Sequence, residues 1–539
     1  MSFSKKKYIM GLMTPLTVCQ HDGAASLLLN GETTYCGEEE RYVRYKHARG
    51  HIPINAISKS LEFNKITMKD VKAVYISARA YPDLKKRVQL YLKHYFGYSP
   101  EVVMVDHQLS HLASAYYPSK FNNAMILSID GMGDFKSVAC AEGRNGKIKI
   151  LETKPVDQSL GIFYQTMTQF IGFDGMGDEY KVMGLSAYGK KLLDLSKIIK
   201  VSETDYKINT GFLKRDPVHR NFFEPRYGKK LIKLFGKPRI KGEKLKQFHK
   251  DFALSVQTNF ENAVITLVKK LHKKTGLRNL CLAGGCALNC VTNMKLLELD
   301  FIDNLYVQPA ATDQGTSLGA ALYGSNSLGI KPKTIKNYYL GESFSNDEIF
   351  KILKLCNVKF KKIKNVSNKI AESLNNGKIV AVFNGRSEFG PRALGNRSIL
   401  ANPKIKNIKD QINKKIKFRE EFRPFAPAVL ADKSREIFYM KNESPFMTVT
   451  HKVKPKWIKK IPGVVHIDNT ARVQTVSSKD NKQFHSIIKK FYKLSKVPVV
   501  VNTSFNIKGE PMCDKPLDAI KTFFSSGIDE LYLGNYFIK

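Results

Sequence analysis

Asn279-Leu-Cys-Leu-Ala-Gly-Gly-Cys-Ala-Leu-Asn289 is a short apolar run, a pair of glycines, and then residues able to open a helix. Strand, Gly-rich turn and helix in that order form the repeating unit of an α/β protein. Ala124-Met-Ile-Leu-Ser-Ile-Asp130 followed by Gly131-Met-Gly133 is a second example. The recurrence predicts an α/β fold with mixed or parallel sheets and a helix near 287–299. Upstream, apolar segments flank Asn30-Gly31 within residues 16–36, the pattern of a strand hairpin. Residues 190–250 lose this rhythm, turn basic, and read as an inserted or peripheral segment. A break falls near Gly329–Lys336, and new apolar strands follow at Ile379–Phe383 and Val497–Val501. The expected domains are therefore 1–335 and 345–539. No internal repeat is evident in the residues themselves.

At 539 residues the chain is too long for one core, and its 43% hydrophobic content is globular rather than disordered. No run approaches the ~18 uninterrupted apolar residues of a membrane-spanning helix. The basic start Met1-Ser-Phe-Ser-Lys-Lys-Lys7 leads into a segment broken by Pro15, Gln20, His21 and Asp22, a poor signal-peptide core. The eight cysteines show no Cys-x2-Cys pair and no framework spacing. Reduced thiols in a cytoplasmic protein are the simplest reading. The net charge of +40 favours phosphates, polyanionic substrates or nucleic acid. Residues 331–539 hold 41 Lys and Arg against 18 Asp and Glu, and residues 190–250 hold 18 against 6. Isolated lysines on solvated faces account for the same numbers equally well.

Four segments of the first part resemble a nucleotide and metal site. Val105-Asp-His107-Gln-Leu-Ser-His111 spaces two imidazoles one helical turn apart, so both can meet one ion. No Glu follows the first His, which excludes the metalloprotease pattern. Asp130-Gly131-Met-Gly-Asp134 offers a carboxylate, Asp130 or Asp134, to an ion, and backbone N–H groups to phosphate. Gly284-Gly285 at a helix start is an anion cradle. Asp313, isolated before the Gly-led run Gln314-Gly-Thr-Ser-Leu-Gly-Ala320, completes a His/His/Asp set. Together these segments suggest an actin-like ATPase fold. His21-Asp22 and Glu38–Lys46 cluster polar groups at strand ends, which is also what exposed charged turns do.

The second part concentrates anion-binding chemistry. Gly385-Arg386-Ser-Glu-Phe-Gly-Pro-Arg392-Ala-Leu-Gly-Asn-Arg397 confines three arginines to a Gly/Pro-constrained loop. Lys417, Arg419 and Arg423 follow, then Arg472 with Gln474. Arginine here runs against the chain's lysine bias, and guanidinium grips phosphate or carboxylate bidentately. Asn502-Thr503-Ser-Phe-Asn506 ends a strand with groups able to orient a small polar substrate.

These residues closely resemble the O-carbamoyltransferase family that decorates Nod factors and antibiotics. The match includes His21-Asp22, Glu39-Glu40-Arg41, His107-x3-His111, Asp178–Gly184, Gly284-Gly285-Cys286 and Asp313-x-Gly315. It continues through Gly385-Arg386, Gly390–Gly395, Phe422–Pro427 and Asn502–Asn506. The resemblance implies an N-terminal actin-like (ASKHA) domain similar to threonylcarbamoyl transferase. It implies a C-terminal α/β domain similar to threonylcarbamoyl-adenylate synthase. It further implies ATP and carbamoyl phosphate as co-substrates, carbamoyl-adenylate as intermediate, and Fe2+ or another divalent metal on His107, His111 and Asp313. Arg386, Arg392, Lys417, Arg419, Arg423, Arg472, Asn502, Thr503 and Asn506 would bind the co-substrates. Gly131, Gly284, Gly285, Cys286 and Asn289 would hold the adenylate beside Asp130. His21 is the expected base for the acceptor hydroxyl, with Lys46 as charge stabiliser, and relatives suggest a homodimer. Gly23 stands where relatives more often carry Ala or Ser, a departure on the acceptor side.

Hydrogenase-maturation carbamoyltransferases add an acylphosphatase domain and Cys-x2-Cys pairs, which this sequence lacks. A nucleic-acid-binding protein with an actin-like ATPase fold is the alternative from another class, but it leaves the His/His/Asp set and the arginine loops without a purpose. The charge instead suggests an anionic acceptor, such as a hydroxylated base in DNA or a glycan, met by residues 190–250, with a small natural product as the other acceptor class.

Overall fold

The computed structural model describes residues 7–14, 21–213 and 225–539. The basic start before Lys7, residues 16–20 of the expected hairpin and residues 214–224 of the basic segment lie outside these. The chain divides into two compact units, Met1–Glu39 with Arg49–Ile335, and Glu40–Ala48 with Lys336–Lys539. Nine residues from the amino-terminal part thus belong to the second unit.

The first unit contains strands β1 (Tyr8–Met13), β2 (Ala24–Leu29), β3 (Glu32–Glu38), β4 (Val71–Ser77), β5 (Glu101–Val105), β6 (Asn123–Gly133), β7 (Lys136–Arg144), β8 (Lys147–Pro155), β9 (Ile199–Val201), β10 (Tyr206–Ile208), β11 (Asn279–Ala283) and β12 (Asn304–Val307). One sheet has the order β3-β2-β1-β4-β5, the other β8-β7-β6-β11-β12. In both, the first two pairings are antiparallel and the last two parallel. The unit is therefore a duplication, the actin-like plan, although no repeat is visible in its residues. Strand order and sense are set by tertiary pairing, which different apolar sequences satisfy equally well.

The hairpin at Asn30-Gly31 is present between β2 and β3. The stretch after Asp130 departs from expectation. β6 continues through Gly131-Met132-Gly133 and turns back into β7, so no helix opens there. The turn is Asp134-Phe135 with φ of 49° and 62°, the left-handed pair of a tight hairpin. Asp134 is held in this conformation by accepting from the backbone N–H groups of Arg79 (2.8 Å), Ala80 (2.9 Å) and His107 (2.8 Å). The basic segment folds as the β9–β10 ribbon and a helix at Lys229–Phe235. No described helix is long and apolar enough to cross a membrane.

The second unit is built on β13 (Lys361–Lys362), β14 (Val380–Phe383), β15 (Arg397–Ala401), β16 (Ala426–Leu430), β17 (Thr450–Lys452), β18 (Thr470–Arg472), β19 (Gln474–Val476), β20 (Val499–Ser504), β21 (Glu530–Leu533) and β22 (Tyr536–Ile538). Eight of these form one sheet ordered β13-β22-β21-β14-β15-β20-β16-β19, and β17 pairs with β18. Alternate residues enter two cores. Ala381, Phe383, Ile399, Val429, Val499 and Val501 face one, while Val380, Val382, Leu400, Ala428 and Val500 face the other. Burial on both faces explains why these strands read as continuous apolar runs. At about 1.5–3 kcal/mol per buried branched side chain, these strands anchor the loops that follow them.

Candidate active site and metal centre

His107 and His111 lie on the helix His107–Tyr116, which Asp106 caps by accepting from the Leu109 N–H. Asp134 holds the His107 amide from the β6–β7 turn. Ser128 Oγ donates to Gln108 Oε1 at 2.8 Å, which ties the same helix to β6, the strand that carries Asp130. Asp313 begins the helix Gln314–Ser327 without capping it through its side chain. Glycines set the fit. A β-carbon on Gly133 would lie 2.0 Å from the His107 ring, and one on Gly319 would lie 1.8 Å from the Ser110 carbonyl oxygen.

This packing brings four donors together, the His107, His111 and Asp313 set and one of the two acids of the 130–134 loop. His107 Nε2 is 3.4 Å from Asp130 Oδ2 and 3.5 Å from Asp313 Oδ1; His111 Nε2 is 3.8 Å and 3.5 Å from the same atoms. All four donors lie within 4.8 Å of one another. The side chains are almost fully buried, and neither Nε2 atom has a hydrogen-bond partner. Nitrogen and oxygen ligands bound at about 2.1 Å around a tetrahedral ion stand about 3.4 Å apart, so the set has the spacing of a shared cation. The residues fit a divalent metal. Of the two candidate acids, Asp130 faces the site and Asp134 does not.

Burial opposes charge at every member, and mutual pairing outweighs it. Asp313 and Asp130 push His107 well above the usual histidine range and raise His111 as well. The imidazoles hold Asp130 well below the carboxylate range and lower Asp313 despite the charge of Asp130 beside it.

The glycine cradle differs from expectation. Gly284-Gly285 opens a short 3-10 turn, Gly285–Leu288, and the helix that follows, Cys290–Leu297, is capped by Asn289. The Gly285 N–H donates to Asp130 Oδ1 at 3.2 Å, so it orients that carboxylate. The Asn289 amide is engaged with Thr292 N–H and with Gln257 at 2.9 and 3.0 Å. Gly131 places its carbonyl against Ser159 Oγ at 2.6 Å. The half-buried Cys286 thiol is pushed well above its usual pKa by burial, Asp130 and Glu179, and stays neutral.

His21 lies 3.1 Å from Asp22 through Nδ1. Burial would lower its pKa, but Asp22, then Asp313 and Asp130, raise it to about 9. Lys46 is exposed in the Glu40–Ala48 segment of the second unit. Its charge is one of those acting on Lys417.

In the second unit the predicted cations divide by environment. Lys417 is buried and donates to Ser504 O (2.5 Å), Asn506 O (2.9 Å) and Asn506 Oδ1 (2.8 Å). Burial first, then Arg419 and Arg423, holds its pKa well below the lysine range. Arg419 donates to Asn413 Oδ1 at 2.7 Å and stacks 4.6 Å over Phe425. Arg423 lies 3.7 Å from Glu420. Arg386 clamps the carbonyls of Leu340 and Gly341, and Arg397 those of Asn384 and Gly385 while lying 3.6 Å over Phe383. These two arginines brace the loop. Arg392 and Arg472 are half-buried, Arg472 at the end of β18. Asn502 donates to Ala393 O and Gln474 Oε1, leaving its buried Oδ1 without a partner; Thr503 is half-buried beside it on β20. Glu388 went unnoticed in the sequence. Its Oε1 accepts from the N–H groups of Leu394, Asn396 and Arg397, a role with no signature beyond an acid inside a Gly-rich loop.

A family model described as carbamoyltransferase N-terminus matches residues 65–322, and one described as carbamoyltransferase C-terminus matches residues 371–539. Nodulation protein NolNO of Sinorhizobium fredii is 36% identical over 551 residues, which is 96% of this chain and 79% of that protein. Nodulation protein NolO of Bradyrhizobium diazoefficiens is 36% identical over 81% of this chain and 79% of its own length. An uncharacterized protein of Methanocaldococcus jannaschii is 34% identical, with 97% and 99% covered. Likeness to solved structures is looser, with a TM-score of 0.37 for component A of an Acidaminococcus fermentans (R)-2-hydroxyglutaryl-CoA dehydratase at 15% identity, covering 60% of this chain and 99% of that one. The fold therefore rests on strand order.

Proposed function

Because the chain belongs to the O-carbamoyltransferase family, we propose that it transfers the carbamoyl group of carbamoyl phosphate, at the expense of ATP, to an acceptor hydroxyl. The observation that carries this reading is in the second unit, where Lys417 donates to Ser504 and Asn506 at the strand end and the charges of Arg419 and Arg423 act on it. Carbamoyl phosphate and water give carbamate and phosphate. A carbamate oxygen then forms a bond to the α-phosphorus of ATP as pyrophosphate leaves. The cations neutralise the phosphates as charge moves onto the departing oxygens. The carbonyl-clamping arginines keep the loop in place, and Asn502 Oδ1 supplies an acceptor for a substrate N–H.

In the first unit, attack of the acceptor oxygen on the carbamoyl carbon breaks the bond to AMP and gives the O-carbamate. His107, His111, Asp130 and Asp313 would hold a divalent ion, Fe2+ in this reading. Such an ion would supply Lewis-acid stabilisation of a phosphate or carbonyl oxygen. His21, paired with Asp22 through Nδ1, is proposed as the base that takes the hydroxyl proton. The acceptor is proposed to be anionic, because Lys229, Lys230, Lys233, Lys237, Lys241, Lys244 and Lys246 are exposed in one short stretch. A hydroxylated base in DNA or an acidic glycan has that character.

The test is AMP and pyrophosphate release from ATP with carbamoyl phosphate by iron-loaded protein, alongside Arg423→Ala and His107→Ala. Carbamoyl-phosphate-dependent release that is lost in Arg423→Ala is the expected result. Its absence in the wild type sinks the adenylation mechanism.

A further inference from the structure

Residues Glu40–Ala48 leave the first unit's chain and pack as part of the second. Within nine residues, Arg44, His47 and Ala48 all have positive φ, at 55°, 65° and 41°. Three non-glycine residues in that region each cost on the order of 1 kcal/mol, so something must hold the segment in shape. Part of the answer is internal, since Glu40 Oε2 accepts from the His47 N–H at 2.6 Å.

Two arginines add to it. Arg41 is buried and donates through one terminal nitrogen to the Gly390 carbonyl at 2.7 Å. Gly390 has a φ of 114° and stands two residues before Arg392. Arg44 reaches the Met512 carbonyl at 2.8 Å and the Pro511 carbonyl at 2.9 Å with its two terminal nitrogens. Glu510 and Asp518 lie 3.7 and 3.6 Å from the same guanidinium. The chain of contacts then runs inward. The Glu510 carbonyl accepts from Asn506 Nδ2 at 2.7 Å, and Asn506 Oδ1 and O accept from Lys417 Nζ at 2.8 and 2.9 Å. The Cys513 N–H closes the turn on the Phe505 carbonyl at 2.9 Å.

We infer that Arg41 and Arg44 are positioning residues for the second unit's carbamoyl phosphate and ATP pocket, with the Glu40–Ala48 segment acting as a strap across two of its loops. Arg41 fixes the turn that presents Arg392, and Arg44 fixes the turn that holds Asn506 and, through it, Lys417. This rests on the reading of that pocket given above. The geometry needs arginine at position 44, because two adjacent carbonyls are met by a planar fork with two N–H directions. A lysine ammonium would keep the charge but reach one carbonyl at a time.

The experiment measures steady-state AMP formation from ATP and carbamoyl phosphate with full-length wild type, Arg44→Lys, Arg44→Ala, Arg41→Lys and Arg423→Ala, together with their unfolding midpoints. In Arg44→Lys, KM for carbamoyl phosphate should rise about tenfold with kcat changed far less and the midpoint nearly kept, because lost preorganisation weakens ligand binding first. Millimolar guanidinium added to Arg44→Ala should restore part of the lost affinity, which a general loss of folding would not allow. Arg41→Lys should also raise KM, since the bond to the Gly390 carbonyl is disturbed, and it serves if the Arg44→Ala chain fails to fold. Wild-type KM in both Arg44→Lys and Arg41→Lys, while Arg423→Ala still loses activity, overturns the strap and leaves the pocket standing. Parallel losses of kcat and midpoint at unchanged KM also overturn it, by reducing the segment to scaffolding. A wild type without carbamoyl-phosphate-dependent AMP formation removes the pocket and the strap together.

Discussion

The helix of His111 and the helix that Asp313 begins touch at Gly319 and Ser110, where a β-carbon on the glycine would come within 1.8 Å of the serine carbonyl oxygen. Alanine at 319 would gain about 1 kcal/mol of helix propensity. The obstacle is backbone, which cannot rotate aside, so overpacking of about 1–3 kcal/mol wins. Gly319→Ala should therefore lower the unfolding midpoint and reduce bound metal per chain together. A midpoint at or above wild type would show that the helices can separate without cost.

Four donors, His107, His111, Asp130 and Asp313, lie close enough to share one ion, and Asp130 rather than Asp134 is the second acid. Asp130→Asn should lower metal retention about 10- to 100-fold while changing stability little, as the amide preserves shape and the Gly285 contact. Asp134→Asn should act differently, loosening the His107 amide and the β6–β7 turn and lowering stability first. Metal analysis and calorimetry of both variants separate the two acids. Equal metal content in Asp130→Asn and wild type would remove Asp130 from the ligand set.

Protons compete for the same site. Burial disfavours a charge on His107, yet the two carboxylates push its pKa well above the usual value. A raised histidine pKa contributes stability in full below its unfolded value of about 6.5, and that contribution disappears as pH rises through the folded pKa. Metal requires the neutral imidazole, so the sign reverses on binding. Apparent affinity for Co2+ should rise from pH 6 to pH 8 with proton release. A pH-independent affinity would mean the imidazoles are already neutral.

Lys417 offers the opposite test. Burial, Arg419 and Arg423 hold its pKa well below 10.5. A depressed lysine pKa makes the unfolded chain the better proton binder, so stability rises with pH between the folded pKa and about 10.5. A bound phosphate would favour the ammonium and draw in a proton. Binding of carbamoyl phosphate, followed by calorimetry in buffers of different ionisation enthalpy, should show proton uptake that Lys417→Met abolishes. Uptake unchanged in that variant would assign the proton to another group.

What was legible in the sequence follows from range. The strands at 279–283, 380–383 and 499–504 and the hairpin at Asn30-Gly31 are local signals, apolar runs with turn residues beside them. The His107–His111 pair is equally local, because one helical turn fixes it. Asp313 joins by long-range packing through Gly319, and its isolation before a Gly-led helix was enough to mark it. The carbonyl contacts of Arg386 and Arg397 are not legible, since guanidinium groups that reach backbone carbonyls look the same in sequence as those that do not. The helix expected after Gly131 gives way to a hairpin, because three backbone N–H groups from elsewhere in the chain hold Asp134 in the left-handed turn, a long-range cause.

The membership of Glu40–Ala48 in the second unit has a consequence for the gene. No single cut in the reading frame yields both units whole. A product starting at codon 336 would lack Arg41 and Arg44, and one ending at codon 335 would carry nine residues folded for another body. Recombination that swapped only the 3′ half would join a strap from one parent to loops from the other. Arg41 and Arg44 are therefore expected to be inherited together with Gly390 and the 510–518 turn, as a lock with its key.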